Sequence, residues 1–176
     1  MLKDFNLLVT TSRGNEEDVC SEMWYLLGEI GDQAAAIDKT GVTGLVVVKT
    51  LLDPFEVIEK LRKVLKARPS EFRYTLRIIP IEKAARTDLE EIQLVATELA
   101  SKIAQDETFR VTVEKRFSKI PSSELIEAAA TNIERKVSLD RPDRIVLLQV
   151  IGKLTGVSVV RPTDIMSVAK ERPSPE

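Results

Sequence analysis

The sequence predicts an α/β chain of the α+β kind, built as two small domains in succession. Three observations predict it. Residues 1–80 run through extended and helical patterns in the order strand, helix, strand, strand, helix, strand. The stretch EKAART, which has neither pattern, follows; a second series of helix, strand, helix and two closing strands then begins. At 176 residues the chain has room for one domain or two small ones.

In the first half, FNLLVTTSR at residues 5–13 is apolar and β-branched and stops at Gly14, as a strand does. A helix follows from Asn15, with Glu16, Glu17 and Asp18 favourably placed against the helix dipole. Val19, Met23, Leu26 and Ile30 form its apolar stripe, and Gly31 ends it. Residues 33–38 and 45–50 read as a hairpin through KTGVTG. Asp53-Pro54-Phe55-Glu56 combines a capping acid, a proline at the first helical position and a carboxylate at the third. Ile58, Leu61 and Leu65 then share one face. RYTLRIIPI at residues 73–81 returns as a strand, and Pro80 confines itself to a strand end or a sheet edge. This βαββαβ order is that of a ferredoxin-like domain, expected over residues 1–82.

The second domain is expected over residues 83–170. Thr87 and Glu90 have capping-box spacing ahead of Ile92, Val95, Leu99 and Ile103. In FRVTVEKRF, residues 109–117, Phe109, Val111 and Val113 alternate with Arg110, Thr112 and Glu114, the pattern of a half-buried strand. A helix over 121–137 carries Ile126, Ala130, Ile133 and Val137 along one face. IVLLQVI at 145–151 is apolar throughout, so both its faces should be covered, and VSVVR at 157–161 pairs with it through GKLTG, with Lys153 near the hairpin tip. Residues 171–176 are expected to be a flexible tail.

Composition narrows the chemistry. With 43% apolar and 31% charged residues the chain is globular, and no apolar run approaches the roughly 18 residues of a membrane span. The N-terminus has no secretory signal, so a cytoplasmic location is expected. Cys20 is alone and reads as a half-buried helical thiol. There is no histidine, which removes the usual general base and the commonest metal ligand. Neither GxxxxGK[ST] nor GxGxxG occurs, and Glu16-Glu17 and Glu90-Glu91 sit at helix starts, where the dipole accounts for them. No catalytic residue, metal or cofactor is expected.

A net charge of −2 does not announce a nucleic-acid binder. The charge is uneven, however. Residues 1–106 hold 14 Lys and Arg against 18 Asp and Glu, and residues 107–176 hold 12 against 10. Arg110, Lys115, Arg116 and Lys119 run off a strand toward the helix that starts near Pro121, where Ser122 and Ser123 follow and Phe117 offers a ring. Cations beside the free amides of a helix start suit a phosphate; a solvated strand edge bearing anti-aggregation charges is the other reading.

These residues carry a resemblance. The succession of FRVTVEKRF, PSSELIEAAATNIERKV and DRPDRIVLLQVIGKLTGVSVVRP resembles a THUMP domain, which typically follows a ferredoxin-like domain. The resemblance implies a module that holds the acceptor stem and single-stranded 3′ CCA end of tRNA, at a fixed distance from a modification site elsewhere. In most such enzymes a catalytic domain follows, whereas this sequence stops some 15 residues after its last expected strand. It therefore resembles the stand-alone, non-catalytic adaptors that help a separate acetyltransferase make N4-acetylcytidine in tRNA. FNLLVTTSRGNEED and RYTLRIIPIE are similar to that subgroup.

On this reading Lys115, Arg116, Lys119, Lys136, Lys153 and Arg161 are the expected RNA contacts, and Arg73, Arg77 and Arg86 extend the track. Two other readings stay open: a ligand-binding or protein-interaction module with no RNA role, and an enzyme working with carboxylates and lysines alone.

Overall fold

A computed structural model describes residues 1–175. It begins with β1 (Leu7–Thr10), α1 (Glu16–Glu29), β2 (Ala36–Lys39), β3 (Leu45–Lys49), α2 (Pro54–Ala67) and β4 (Arg77–Pro80). This is the expected βαββαβ order. β1 is central, antiparallel to β3 on one side and β4 on the other, with β2 beyond β3. Asp53 caps α2 as its sequence foretells, accepting the Phe55 and Glu56 amides at 2.8 and 3.2 Å. α1 starts differently. The Asn15 side chain makes no capping bond, and Glu16, Glu17 and Asp18 in the first turn are what complement the dipole. Gly44 in the β2–β3 loop has φ +75, and a Cβ there would stand 2.6 Å from the Thr11 carbonyl oxygen, so only glycine fits. Val19, Met23, Leu26 and Leu27 of α1 and Val57, Ile58, Leu61 and Leu65 of α2 close over the sheet. Each such side chain contributes about 1.5–3 kcal/mol on burial.

A second compact unit occupies Ile81–Thr163. It comprises β5 (Lys83–Arg86), α3 (Leu89–Leu99), β6 (Thr108–Arg116), α4 (Ser122–Ala130), β7 (Lys136–Val137), β8 (Arg144–Ile151) and β9 (Leu154–Val160). Its sheet has the order β5-β9-β8-β6-β7 and is mixed: β6 runs parallel to β7 and β8, while β9 is antiparallel to β8 and β5. Val146, Leu148 and Val150 of β8 join Ile92, Val95, Leu125 and Ala129 of the two helices in one core. Leu147, Gln149 and Ile151 are buried as well, so β8 is covered on both faces, as its continuous apolar run requires. The β8–β9 loop is Gly152-Lys153. Gly152 has φ +60 and Lys153 does not have a positive φ, which is the backbone pattern of a II′ hairpin turn.

The chain then returns to the first unit. β10 (Met166–Ser167) pairs antiparallel with β4, α5 (Val168–Glu171) follows, and the segment from Asp164 packs with residues 1–80. Met166 and Val168 are buried in the first core, the Arg62 guanidinium pairs with Glu171 at 2.6 Å, and Arg172 donates to the Pro69 and Phe72 carbonyls. This arrangement differs from the expected bounds of 83–170 for the second domain and 171–176 for a flexible tail: the segment from Asp164 clusters with residues 1–80, and Glu171 and Arg172 make the bonds just described. Glu176, the last residue of that tail, lies outside the described residues.

Other expectations shift for local reasons. Thr87 does not cap α3; Asp88 does, accepting the Glu91 amide at 3.0 Å, and the Thr87 hydroxyl pairs instead with that of Thr155. EKAART is not patternless coil, because Lys83–Arg86 is the edge strand β5. The helix expected over 121–137 ends at Ala130, and Val137 pairs with Phe109 as part of β7.

Candidate functional site

β6 determines where the cations go. Its alternation turns Phe109, Val111 and Val113 toward the helices and sends Arg110, Thr112, Glu114 and Arg116 to the opposite face. Lys115 shares the helix-bearing side, where its exposed ammonium donates to the Ile120 carbonyl at 2.8 Å. Arg116 turns the other way. It is half-buried and donates to Gln149 Oε1 at 2.8 Å and Glu114 Oε2 at 2.9 Å, so its charge is committed within the sheet.

The strand register then assembles one end of the sheet. Arg116 stands opposite Ile151, Ile151 opposite Leu154, and Leu154 opposite Arg86. Two backbone bonds stitch this rank together: the Gly152 amide donates to the Arg116 carbonyl and the Thr87 amide to the Lys153 carbonyl, each at 2.8 Å. Lys153 is thereby held at the hairpin tip beside the loop that leaves β6. That loop carries Phe117 and Lys119 into α4, whose first turn has no side-chain cap and displays exposed Ser122 and Ser123. An uncapped helix start with cations around it is favourable for an anion.

A groove of about 780 Å³ opens at this end, lined by Arg86, Thr87, Asp88, Phe117, Ser118, Lys119, Ile120, Gly152, Lys153 and Leu154. Its charges are not equivalent. The Arg86 guanidinium lies 2.8 Å from Glu91 and holds that carboxyl below the usual carboxylate range, and Asp88 is occupied in capping α3. Lys119 and Lys153 are exposed and have no ion-pair partner among the described residues.

The remaining expected residues lie elsewhere. Lys136 pairs with Thr108 at the opposite end of β6, roughly 26 Å from Arg116 for eight strand steps. Arg161 follows β9 at that same far end, 3.2 Å from Glu107. Glu107 also accepts the Ala104 amide and faces Arg144, and these contacts hold its carboxyl below the usual range. Arg73 and Arg77 belong to the first unit, where the Arg73 guanidinium sits 5.8 Å from the centre of the Tyr74 ring. The six residues named from sequence therefore divide between two ends of one sheet. Thr87 and Leu154 are lining residues that sequence reasoning missed. The Asp88–Glu91 spacing, as good a capping signal as Thr87–Glu90, is the one sequence clue that Thr87 does not cap α3.

Burial pushes the Cys20 thiol up, away from the thiolate, and no group of three or more His, Cys, Asp or Glu among the described residues is placed to hold a metal ion. No helix among them is long and apolar enough to cross a membrane.

Residues 86–160 match the family model of the THUMP domain. That stretch lies within the second unit, Ile81–Thr163. The THUMP domain is an RNA-binding module, and the groove with Lys119 and Lys153 falls inside the matched stretch. Solved structures share the fold. A protein from Pyrococcus horikoshii Ot3 superposes with a TM-score of 0.65 at 15% identity, covering 89% of this chain and 55% of its own. TrmN from Thermus thermophilus gives 0.58 at 17% identity, covering 87% and 44%. A 4-thiouridine synthetase solved as an RNA complex with bound ATP gives 0.55 at 15%, covering 89% and 42%. The chain spans about half the length of these proteins. No curated protein sequence matches it.

Proposed function

We propose that this chain binds tRNA through the groove end of its THUMP domain and holds the acceptor stem and single-stranded 3′ CCA end. On this reading it presents the tRNA to a separate modifying enzyme, in N4-acetylcytidine formation, and performs no chemistry itself. One observation carries it: Lys119 and Lys153, distant in sequence, line one open groove beside an uncapped helix start and have no ion-pair partner among the described residues. Lys115 adds a third exposed ammonium at the same junction. The THUMP match supports RNA as the anion. The accessory role is supported by the sequence, which has no histidine and no nucleotide-binding motif. A cytoplasmic setting belongs to the same proposal.

The test is equilibrium binding of an acceptor-stem minihelix with and without its single-stranded CCA end, for the wild type and for Lys119→Ala combined with Lys153→Ala. Tighter binding of the overhang-bearing form, lost in the double variant, is expected. Failure of the wild type to bind either form at low salt would sink the reading in favour of a module without an RNA role. Conversion of tRNA without any partner would sink the accessory role alone.

A further inference from the structure

We infer that Phe117 is a stacking platform for one unpaired nucleobase of a single-stranded RNA end, with the flanking phosphates held by Lys119 and Lys153; the inference rests on the RNA-binding reading above. Phe117 contributes little to the fold it sits in. Its side chain is 76% exposed, more than Trp24 at 61% or Tyr25 at 42%. Its backbone has φ 56, the one positive value on a non-glycine residue among the described residues. A Cβ-bearing residue is disfavoured there and glycine would take the conformation more readily, so neither packing nor backbone geometry accounts for an aromatic at this place.

The surroundings say what the ring faces. It borders the open groove with Ile120 and Leu154, which supply an apolar floor, while Lys119 and Lys153 supply unpaired charge. The lone carboxylate of the lining, Asp88, already accepts the Glu91 amide. A flat exposed ring lining one groove with two cations fits a polyanion that carries π-faces, which is the composition of single-stranded nucleic acid. An acidic peptide would use the cations and leave the ring idle. Since every base has a face to stack, the contact should discriminate base from no base far more than one base from another.

The experiment compares the wild type with Phe117→Gly, Phe117→Ala and Phe117→Tyr. The probes are a blunt minihelix, one with a short 3′ extension, and one whose extension is abasic. Thermal unfolding accompanies each protein. Phe117→Gly should unfold no earlier than the wild type, since it relaxes a left-handed position, yet bind the extended RNA about tenfold more weakly. It should also lose the preference for the base-bearing extension over the abasic one, and Phe117→Tyr should restore both. Equal binding of base-bearing and abasic extensions by the wild type, or a Phe117→Gly variant that keeps the preference, would overturn the stacking role while leaving RNA binding intact. Wild-type protein that binds no probe at all, or whose RNA is displaced equally well by an acidic peptide, would overturn the reading beneath it.

Discussion

Asp32 shows how a single residue can hold a turn of this chain together. It is 3% exposed, and its carboxylate accepts the Thr50 hydroxyl at 2.5 Å, the Leu51 amide at 2.9 Å and the Ala34 amide at 2.9 Å. Burial works to raise its pKa, but these donors overcome burial and the carboxyl stays below its usual range. The unfolded chain therefore takes up this proton first. Stability contributed by Asp32 is fully present above the ordinary carboxylate pKa of about 3.9, and drains away as pH falls from there through the depressed folded value. Asp32→Ala should cost about 2–3 kcal/mol at neutral pH, read from denaturant midpoints, and should flatten the acid limb of the stability curve. In the second unit Leu148 is wholly buried in the core beneath α3 and α4, and Leu148→Ala should cost about 3 kcal/mol through the cavity it leaves. Arg116→Ala belongs with these structural changes, because that guanidinium holds Gln149 and Glu114.

At the scale of elements, the return of the chain through β10 and α5 makes the C-terminal segment part of the first unit. It covers the outer edge of β4, places Met166 and Val168 in the core and brings Glu171 to Arg62. Truncation after Thr163 should destabilise that unit by about 4 kcal/mol, the value of two buried apolar side chains, and should accelerate amide hydrogen exchange in β4. Exchange in β4 unchanged by the truncation would show that β10 is a mere appendage. The sequence concealed this element for a physical reason. β10 is two residues long and is defined by its pairing with a strand some ninety positions earlier, whereas caps and hairpin turns are local chemistry and read correctly at Asp53-Pro54 and Gly152-Lys153. β5 was lost in the same way, since Lys83–Arg86 has no apolar alternation and owes its form to β9. α4 is shorter than its pattern predicts because Ile133 and Val137 keep the helical period, although Val137 is claimed by Phe109 of β6. Within the site, the cluster at Lys115 and Lys119 was legible as a strand running into a helix start. Which of its neighbours pointed the same way depended on register, which separated Lys153 from Lys136 and Arg161.

For the molecule as a whole the proposed RNA binding raises the question of how a chain of net charge −2 would hold a polyanion. Bulk attraction is absent, so affinity has to come from a few well-placed cations and from contacts that salt does not screen. That has a quantitative signature. Each phosphate neutralised releases condensed counterions, so the slope of log K against log salt counts the contacts at about 0.7–0.9 apiece. Lys115, Lys119 and Lys153 at the groove end predict a slope of about −2 to −3, far shallower than a basic RNA-binding surface would give. Lys119→Ala with Lys153→Ala should lower its magnitude by about 1.4–1.8, whereas Lys136→Ala, at the other end of the sheet, should leave it unchanged. Phe117→Gly should weaken binding with the slope intact, because stacking releases no counterions. A titration over a salt series with these proteins separates the two contributions directly. A steep slope that survives loss of both lysines would move the phosphate contacts to a different face of the protein, and a slope that falls with Lys136→Ala would return the far end of the sheet to the interface.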